Sequence, residues 1–253
     1  RGCGGILPVK KAKINVGNAG TVARFLTALL SLQQGGEYSL DGSEAMRKRP
    51  MQGLLKALEF HGTEFHFKME ENCFPFSMKT SSLNDEPWEI DASESSQILS
   101  AILLIAPLIN GVTEISLISY TVSKPFVRMT LEMMQEFMAD VAIDCSQETH
   151  FKFPPNSYFL VDNLYRIEPD ATAASYFLSA PLSVGGQVTV KNLNHCRLQG
   201  DIDYCDIIKK CGISIRSTSF GIQSLITSQP IGGDFDFNDI SDTFLSLAAL
   251  SPL

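Results

Sequence analysis

The chain has little of what marks a secreted, metal-built or nucleic-acid-binding protein. Its six cysteines stand at 3, 73, 145, 196, 205 and 211, and none forms a C-x-x-C pair. Such spacings fit no zinc pattern and predict free, mostly buried thiols in a reducing, cytoplasmic setting. Cys196 beside His195, with Cys205 and Cys211, is the one set that could gather on a metal, and its spacing argues against that, so no metal is expected. Basic charge is also scarce: 20 Lys and Arg face 28 Asp and Glu, a net charge of −8. A duplex-binding protein needs a basic face, so no nucleic-acid partner is expected. The longest stretch dominated by apolar residues runs only from Ile98 to Ile109. A membrane-spanning helix needs about 18 to 20, so no membrane partner is expected either.

Familiar catalytic signatures are missing as well. There is no G-x-x-x-x-G-K-[ST], no complete G-x-G-x-x-G, no H-E-x-x-H and no G-x-S-x-G. Histidine occurs four times; His61, His66 and His150 have no partner motif and read as structural or solvent-exposed. The opening Arg1-Gly2-Cys3-Gly4 is not a signal layout, and with no Met it suggests a chain entered in mid-protein.

What is present is core material and a repeat. With 253 residues, 44% hydrophobic and 19% charged, the chain has enough apolar content for one large domain or two smaller ones. One pattern occurs four times. Ala23-Arg24-Phe25-Leu26 leads an apolar helix, and so do Ser96-Gln97-Ile98-Leu99, Ser175-Tyr176-Phe177-Leu178 and Asp242-Thr243-Phe244-Leu245. The shared leucines lie 73, 79 and 67 residues apart. In the first three copies the helix ends near glycine (Gly35-Gly36, Gly111, Gly185-Gly186), as helix C-caps do. A strand follows (38–40, 113–117, 187–190), then a polar loop and a second helix (51–60, 127–137, 204–211). Strand-like stretches such as 63–67 and 213–216 come next. The unit reads helix, strand, loop, helix, strand, with a strand leading in, which predicts sheets covered by helices. The fourth copy breaks off at Leu253. A composition shift over 156–167 predicts a domain boundary, placed after residue 166.

The polar residues gather at two places in the repeat. The first helix opens on small and hydrogen-bonding residues: Gly17-Asn18-Ala19-Gly20-Thr21 in one copy, Asp91 to Gln97 in the next. A helix start offers free N–H groups and partial positive charge to an anion, and glycine lets a ligand approach the backbone. Ordinary N-capping explains the same residues equally well. The loop before the second helix carries cations: Met46-Arg47-Lys48-Arg49-Pro50 and Ser123-Lys124-Pro125-Phe126. A cation before a helix start opposes the dipole, a placement that makes sense with an anion between them. Asp170 and Asp242, each heading a helix, read in isolation as caps.

These runs resemble the signatures of the 5-enolpyruvylshikimate-3-phosphate synthase family. The residues concerned are Gly17 to Arg24, Leu40-Asp41-Gly42 with Met46 to Pro50, Ser95-Ser96-Gln97, Val122 to Pro125, and Leu198-Gln199-Gly200-Asp201, in the family's order. The resemblance covers essentially the whole chain. It implies an α+β fold: a two-domain alpha-beta prism of repeated βαβαββ units, both domains incomplete here. Residues 1–166 would be most of one domain and 167–253 the opening of the other. It further implies transfer of the enolpyruvyl group of phosphoenolpyruvate to the 5-hydroxyl of shikimate 3-phosphate, with release of phosphate and without a cofactor. Ser95, Ser96, Gln97, Ser123, Phe126 and Asp242 would hold shikimate 3-phosphate. Gly20, Arg49 and Gln97 would hold phosphoenolpyruvate. Asp242 would accept the proton of the attacking hydroxyl, and Asn18, Thr21 and Arg24 would shape the first loop. The complete protein is expected to be a cytoplasmic monomer, of bacterial source.

Two departures qualify the resemblance. Phe126 stands where the family usually has Tyr. The family's N-terminal Lys, Ser and Arg and its C-terminal Glu, Arg and Lys have no matching positions in these 253 residues. Alternative readings are a UDP-N-acetylglucosamine enolpyruvyl transferase of the same fold, or a non-catalytic fragment that binds shikimate 3-phosphate weakly. The Ser-Ser-Gln and Met-Arg-Lys-Arg-Pro runs argue against the first.

Overall fold

Period-two alternation of apolar and polar residues sets the strands of the chain, and runs of Leu, Ile and Ala set its helices. In the computed structural model, residues 6–119, 124–137, 142–143, 149–155, 158–160 and 164–250 are described. The chain divides into two compact units, Arg1–Leu160 and Val161–Leu253; the sequence had suggested a division after residue 166.

The first unit contains two copies of one motif. In the first copy the elements are β1 (Lys11–Asn15), α1 (Gly20–Ser31), β2 (Glu37–Asp41), α2 (Glu44–Arg47), α3 (Gln52–Phe60), β3 (Glu64–Phe67) and β4 (Phe76–Lys79). In the second they are β5 (Trp88–Ile90), α4 (Ser96–Ile105), β6 (Thr113–Leu117), α5 (Lys124–Glu136), β7 (Ala142–Ile143) and β8 (His150–Phe153). The sheets share one connectivity, β1-β2-β4-β3 and β5-β6-β8-β7. Each begins with a parallel pair, β1 with β2 and β5 with β6, and continues antiparallel. The parallel pairs position the polar loops. Because β1 and β2 run the same way, with Asn15 opposite Asp41, the loops that follow them leave the sheet side by side. The loops after β5 and β6 do the same, and the Ser119 hydroxyl donates to Asp91 Oδ1 across them at 2.6 Å.

The helices of this unit pack on one another. Helix α4 is apolar nearly all round and buried from Ile98 to Leu103, as a helix enclosed by protein must be. It packs on α1, α3 and α5. Helix α3 turns Leu54, Leu55 and Leu58 inward at helical spacing. Trp88, Phe74, Phe76, Phe151 and Phe153 complete the core. Gly53 is required where α3 meets the turn after β5: a Cβ there would sit inside contact distance of the Asp91 carbonyl oxygen.

The second unit contains α6 (Ala171–Val184), β9 (Gln187–Lys191), α7 (Tyr204–Lys210), β10 (Ile213–Thr218), β11 (Gly221–Ile226) and α8 (Phe244–Ala248). Its sheet is β10-β11-β9, antiparallel throughout, with no lead-in strand among the described residues. Gly185, with φ +74°, ends α6, as glycine after a helix commonly does. Leu178, Leu182, Leu193, Tyr204 and Ile208 form this unit's own core.

Several sequence expectations shift. Lys124, Pro125 and Phe126 lie in the first turn of α5, not in a loop before it; proline is tolerated there because its missing N–H has no helical partner to lose. The Met46 to Arg49 run is not loop throughout: Glu44–Arg47 forms α2, capped by the Ser43 hydroxyl, which accepts from Met46 N at 3.1 Å. Arg47 therefore sits at a helix C-terminus, where a cation is favoured. Pro50 lies ahead of α3, which begins at Gln52. The fourth helix is preceded by a 3₁₀ segment, Asn238–Thr243, that contains Asp242. Among the described residues no helix is long and apolar enough to cross a membrane.

Candidate active site

The start of α1 differs from the other helix starts. Ser95 caps α4 by accepting from Gln97 N at 3.3 Å, and Asp170 caps α6 by accepting from Ala173 N at 2.8 Å. Both therefore act as caps. Helix α1 has Ala19 at its cap and no side-chain cap hydrogen bond. Asn18, the residue suited to capping it, instead accepts from the Ser43 hydroxyl at 3.2 Å. The positive end of α1 is thus left open.

Around that open end the structure brings four residues together. A Cβ placed on Gly20 would lie 2.9 Å from Arg24 Nη1, 3.0 Å from Arg49 Nη1 and 3.3 Å from Gln97 Oε1. The family resemblance implies Gly20, Arg49 and Gln97 as one set, and they lie together here from α1, from the turn after α2 and from α4. Arg24, expected to shape the first loop, sits at the centre of the cluster. It is 4% exposed. Its Nη1 donates to Gln97 Oε1 at 2.9 Å and to Gly20 O at 3.3 Å, and its Nη2 donates to Pro50 O at 2.6 Å. Among the described residues its buried Nε has no hydrogen-bond partner.

The electrostatics are those of an anion site. Burial, and after it the positive charge of Arg49, lowers the pKa of Arg24, with Glu94 opposing. The ion pairs among the described residues include none to Arg24 or Arg49. Two guanidiniums and an uncapped helix start thus face one another without a carboxylate paired to either guanidinium, and such a cluster gains from an anion with planar oxygens.

Backbone bonds stitch the two loops together. Val16 N donates to Asp41 O at 2.9 Å, and Ser43 N donates to Gly17 O at 2.7 Å. Gly17 turns the chain out of β1 at φ +58°, and its N–H donates to Asn15 Oδ1 at 2.8 Å. A Cβ on Gly42 would come within 2.9 Å of the Gly17 carbonyl oxygen, so this approach needs glycine. Asp41, part of the Leu40-Asp41-Gly42 run to which the sequence assigns no role, has one here. Its carboxylate grips Arg47, accepting from Nε at 2.9 Å and from Nη2 at 2.7 Å.

The remaining expected residues are placed as follows. Ser96 is buried in the first turn of α4, beside Gln97. Phe126 is half-buried in α5; its carbonyl accepts from the Thr130 hydroxyl at 2.8 Å, and that hydroxyl meets Ser100 of α4 at 2.8 Å. Thr21 is exposed on α1. Ser123 lies outside the described residues.

Asp242 belongs to the second unit. It is exposed, and neither the 3₁₀ segment that contains it nor α8 has a side-chain cap bond, so it is not a cap. Asp201, in the Leu198-Gln199-Gly200-Asp201 run, is buried and accepts from the Thr172 hydroxyl. Burial, and then the charges of Asp242 and Asp170, push its carboxyl above the usual range. Gln199 ties the same run to α6: its Oε1 accepts from Ala171 N at 2.8 Å, and its Nε2 donates to Pro169 O at 2.8 Å. Cys196, Cys205 and Cys211 are buried free thiols, and Cys196 Sγ faces Glu168 Oε2 at 3.2 Å. Among the described residues no three His, Cys, Asp or Glu side chains gather as a metal site.

The fold defines the class. EPSP synthase from Acinetobacter baumannii superposes with a TM-score of 0.66 at 22% identity, over 94% of this chain and 54% of that one. The enolpyruvyl transferase NikO from Streptomyces tendae gives 0.60 at 13% identity, over 90% and 53%. The chain therefore has the enolpyruvyl transferase fold. The family model of EPSP synthase (3-phosphoshikimate 1-carboxyvinyltransferase) matches residues 1–253, and the chain belongs to that family. Relatives named 3-phosphoshikimate 1-carboxyvinyltransferase include that of Opitutus terrae, 44% identical over 94% of this chain and 52% of its own length. That of Trichormus variabilis is 36% identical over 99% and 58%. The chain spans about half the length of the curated relatives it matches.

Proposed function

We propose that the protein to which this chain contributes transfers the enolpyruvyl group of phosphoenolpyruvate to the 5-hydroxyl of shikimate 3-phosphate and releases phosphate. The observation that carries the reading is the convergence of Gly20, Arg24, Arg49 and Gln97 at the uncapped start of α1. Arg49 and Gln97, with the open backbone at Gly20, would hold phosphoenolpyruvate. Arg24 would hold Gln97 in place, and Asn18 and Thr21 would shape the loop. The start of α4, with Ser95, Ser96 and Gln97, together with Ser123 and Phe126, would hold shikimate 3-phosphate.

Attack of the hydroxyl oxygen on C2 of phosphoenolpyruvate, with a proton added at C3, gives a tetrahedral intermediate. Loss of phosphate, with a proton removed from C3, restores the double bond. Asp242 would accept the hydroxyl proton; its exposed carboxylate, spent on no cap, suits that role. Cations fixed where negative charge gathers stabilise such steps. The reading needs neither metal nor organic cofactor. The free thiols at Cys73, Cys196, Cys205 and Cys211 support a reducing, cytoplasmic setting.

The test is phosphate release from phosphoenolpyruvate by the chain and by a chain extended to the length of its relatives, each with and without shikimate 3-phosphate. Release that depends on shikimate 3-phosphate in the extended protein is expected. Saturable binding of a UDP-sugar in its place would reverse the choice of substrate. Release by neither protein would remove the reading.

A further inference from the structure

We propose that Asp41 is a positioning residue for Arg49: by gripping Arg47 it fixes the end of α2 from which the Arg49 guanidinium reaches the Gly20–Gln97 cluster. Arg49 makes no hydrogen bond through its own side chain among the described residues, so its aim depends on the backbone that carries it. That backbone is short and has few supports. Helix α2 has four residues, too few to be stable from local hydrogen bonds alone. Its start is held by Ser43, and the chain continues as a turn in which Lys48 N donates to Ala45 O at 3.3 Å and Arg49 N to Met46 O at 3.1 Å.

Two anchors bracket Arg49. After it, the Pro50 carbonyl accepts from buried Arg24. Before it, Arg47 is forked onto Asp41 through Nε and Nη2. Asp41 is itself fixed: it closes β2, its carbonyl accepts from Val16 N, and Oδ1 also accepts from Gly42 N at 2.7 Å. A two-bond fork restricts rotation as well as distance, which a single contact would not do. The Arg47 hydrogen bonds, ahead of every other influence, hold the Asp41 carboxyl below its ordinary range, so the fork is charged at neutral pH. The three atoms nearest a Cβ at Gly20 belong to Arg24, Arg49 and Gln97, not to Asp41. It would act through Arg47 and the turn.

The inference rests on the proposed function only where it concerns phosphoenolpyruvate, and the test separates the two. The whole chain is prepared as wild type, Asp41→Asn, Asp41→Glu and Arg47→Lys. The Nε–Hε resonance of Arg49, assigned by its loss in Arg49→Lys, is recorded in each, and phosphoenolpyruvate is titrated into each. Positioning predicts that the Arg49 resonance moves toward that of a free guanidinium in Asp41→Asn and partly returns in Asp41→Glu. Phosphoenolpyruvate affinity should fall about tenfold in Asp41→Asn, the scale of a catalytic group displaced by less than an ångström. Arg47→Lys keeps the charge but not the fork, so it should behave like Asp41→Asn, and it serves if that variant does not fold. An unmoved Arg49 resonance in both variants overturns the inference, whatever happens to affinity. A resonance that moves in a chain with no affinity for phosphoenolpyruvate would leave the positioning intact and remove the substrate reading.

Discussion

Arg24 and Gln97 occupy the same position in two successive repeats, 73 residues apart, and are hydrogen-bonded to each other at 2.9 Å. Each lies three residues before the end of the matched run Ala23 to Leu26 or Ser96 to Leu99 when that run is extended by one residue. The repeat gives the same place on two packed helices to a cation and to an amide. Arg24 then binds its own helix start, the neighbouring helix and the Pro50 carbonyl at once. The site in the first unit is a product of this duplication and of the two loops that the parallel β1–β2 pair sends out together.

Gly20→Ala tests the crowding around that centre. The backbone at Gly20 is helical, so alanine brings no strain of its own, but its methyl would press on Arg24, Arg49 and Gln97 together. Phosphoenolpyruvate affinity is expected to fall about tenfold or more, since small displacements of binding groups are costly. Titration of the variant, with a melting curve to show that the fold persists, checks this.

Gly53→Ala separates packing from helix propensity. Alanine would favour α3 by roughly 1 kcal/mol if propensity alone decided. The close approach of the Asp91 carbonyl to Gly53 predicts the opposite sign. The urea midpoint should fall, by about 1–3 kcal/mol of stability, the scale of overpacking a filled interior. A raised midpoint would show that the contact yields freely.

His61 should make stability depend on pH. It is buried, stacked on Trp88 at 3.6 Å between ring centroids, and its Nδ1 meets Asn84 Oδ1 at 2.6 Å. Burial lowers its pKa from the ordinary 6.5, against the opposing pull of Asn84 and Glu86. The unfolded chain therefore binds more protons between the lowered value and 6.5. The contribution is complete above about pH 6.5 and is lost as pH falls toward the folded value. Urea unfolding at pH 7.5 and pH 5.5 should show a drop in stability that shrinks in His61→Gln. The chain has one tryptophan, so its fluorescence reports this stack directly.

Asp242→Asn tests the proton-acceptor assignment. Asp242 is exposed and caps no helix, so the variant should fold as stably as wild type. Turnover in the extended protein should fall about 10²-fold or more, the usual cost of losing a general base. Turnover near wild type would end the assignment.

Much of this was legible in the sequence, because the repeat is written in features that local physics reads. Apolar runs, glycines after helices and polar residues at helix starts give the main helices and the strands between them in the first unit, but not α2 or β4. Gly20, Arg49 and Gln97 form a set only through the family resemblance of the matched runs. What the sequence did not show depends on partners distant along the chain. Asn18 reads as a cap for α1 until Ser43 is seen to bind it. Arg47 reads as a cation opposing a helix start, and is in fact at the end of a short helix and forked onto Asp41. Asp242 reads as a cap because it precedes a helix, whereas the turn before α8 is 3₁₀ and leaves it uncommitted. The first two rest on side-chain contacts, and the third on a backbone turn, that no spacing rule encodes.

The most direct test of the account is a calorimetric titration of phosphoenolpyruvate into the chain and into its Arg49→Gln variant, at low salt and then at high salt. Arg49 is exposed, so the variant should fold as wild type does. The account predicts saturable binding by wild type, weakened by salt, and its loss in the variant with the melting temperature unchanged. Equal binding by both proteins would contradict the claim that the cluster around Gly20 is the anion site.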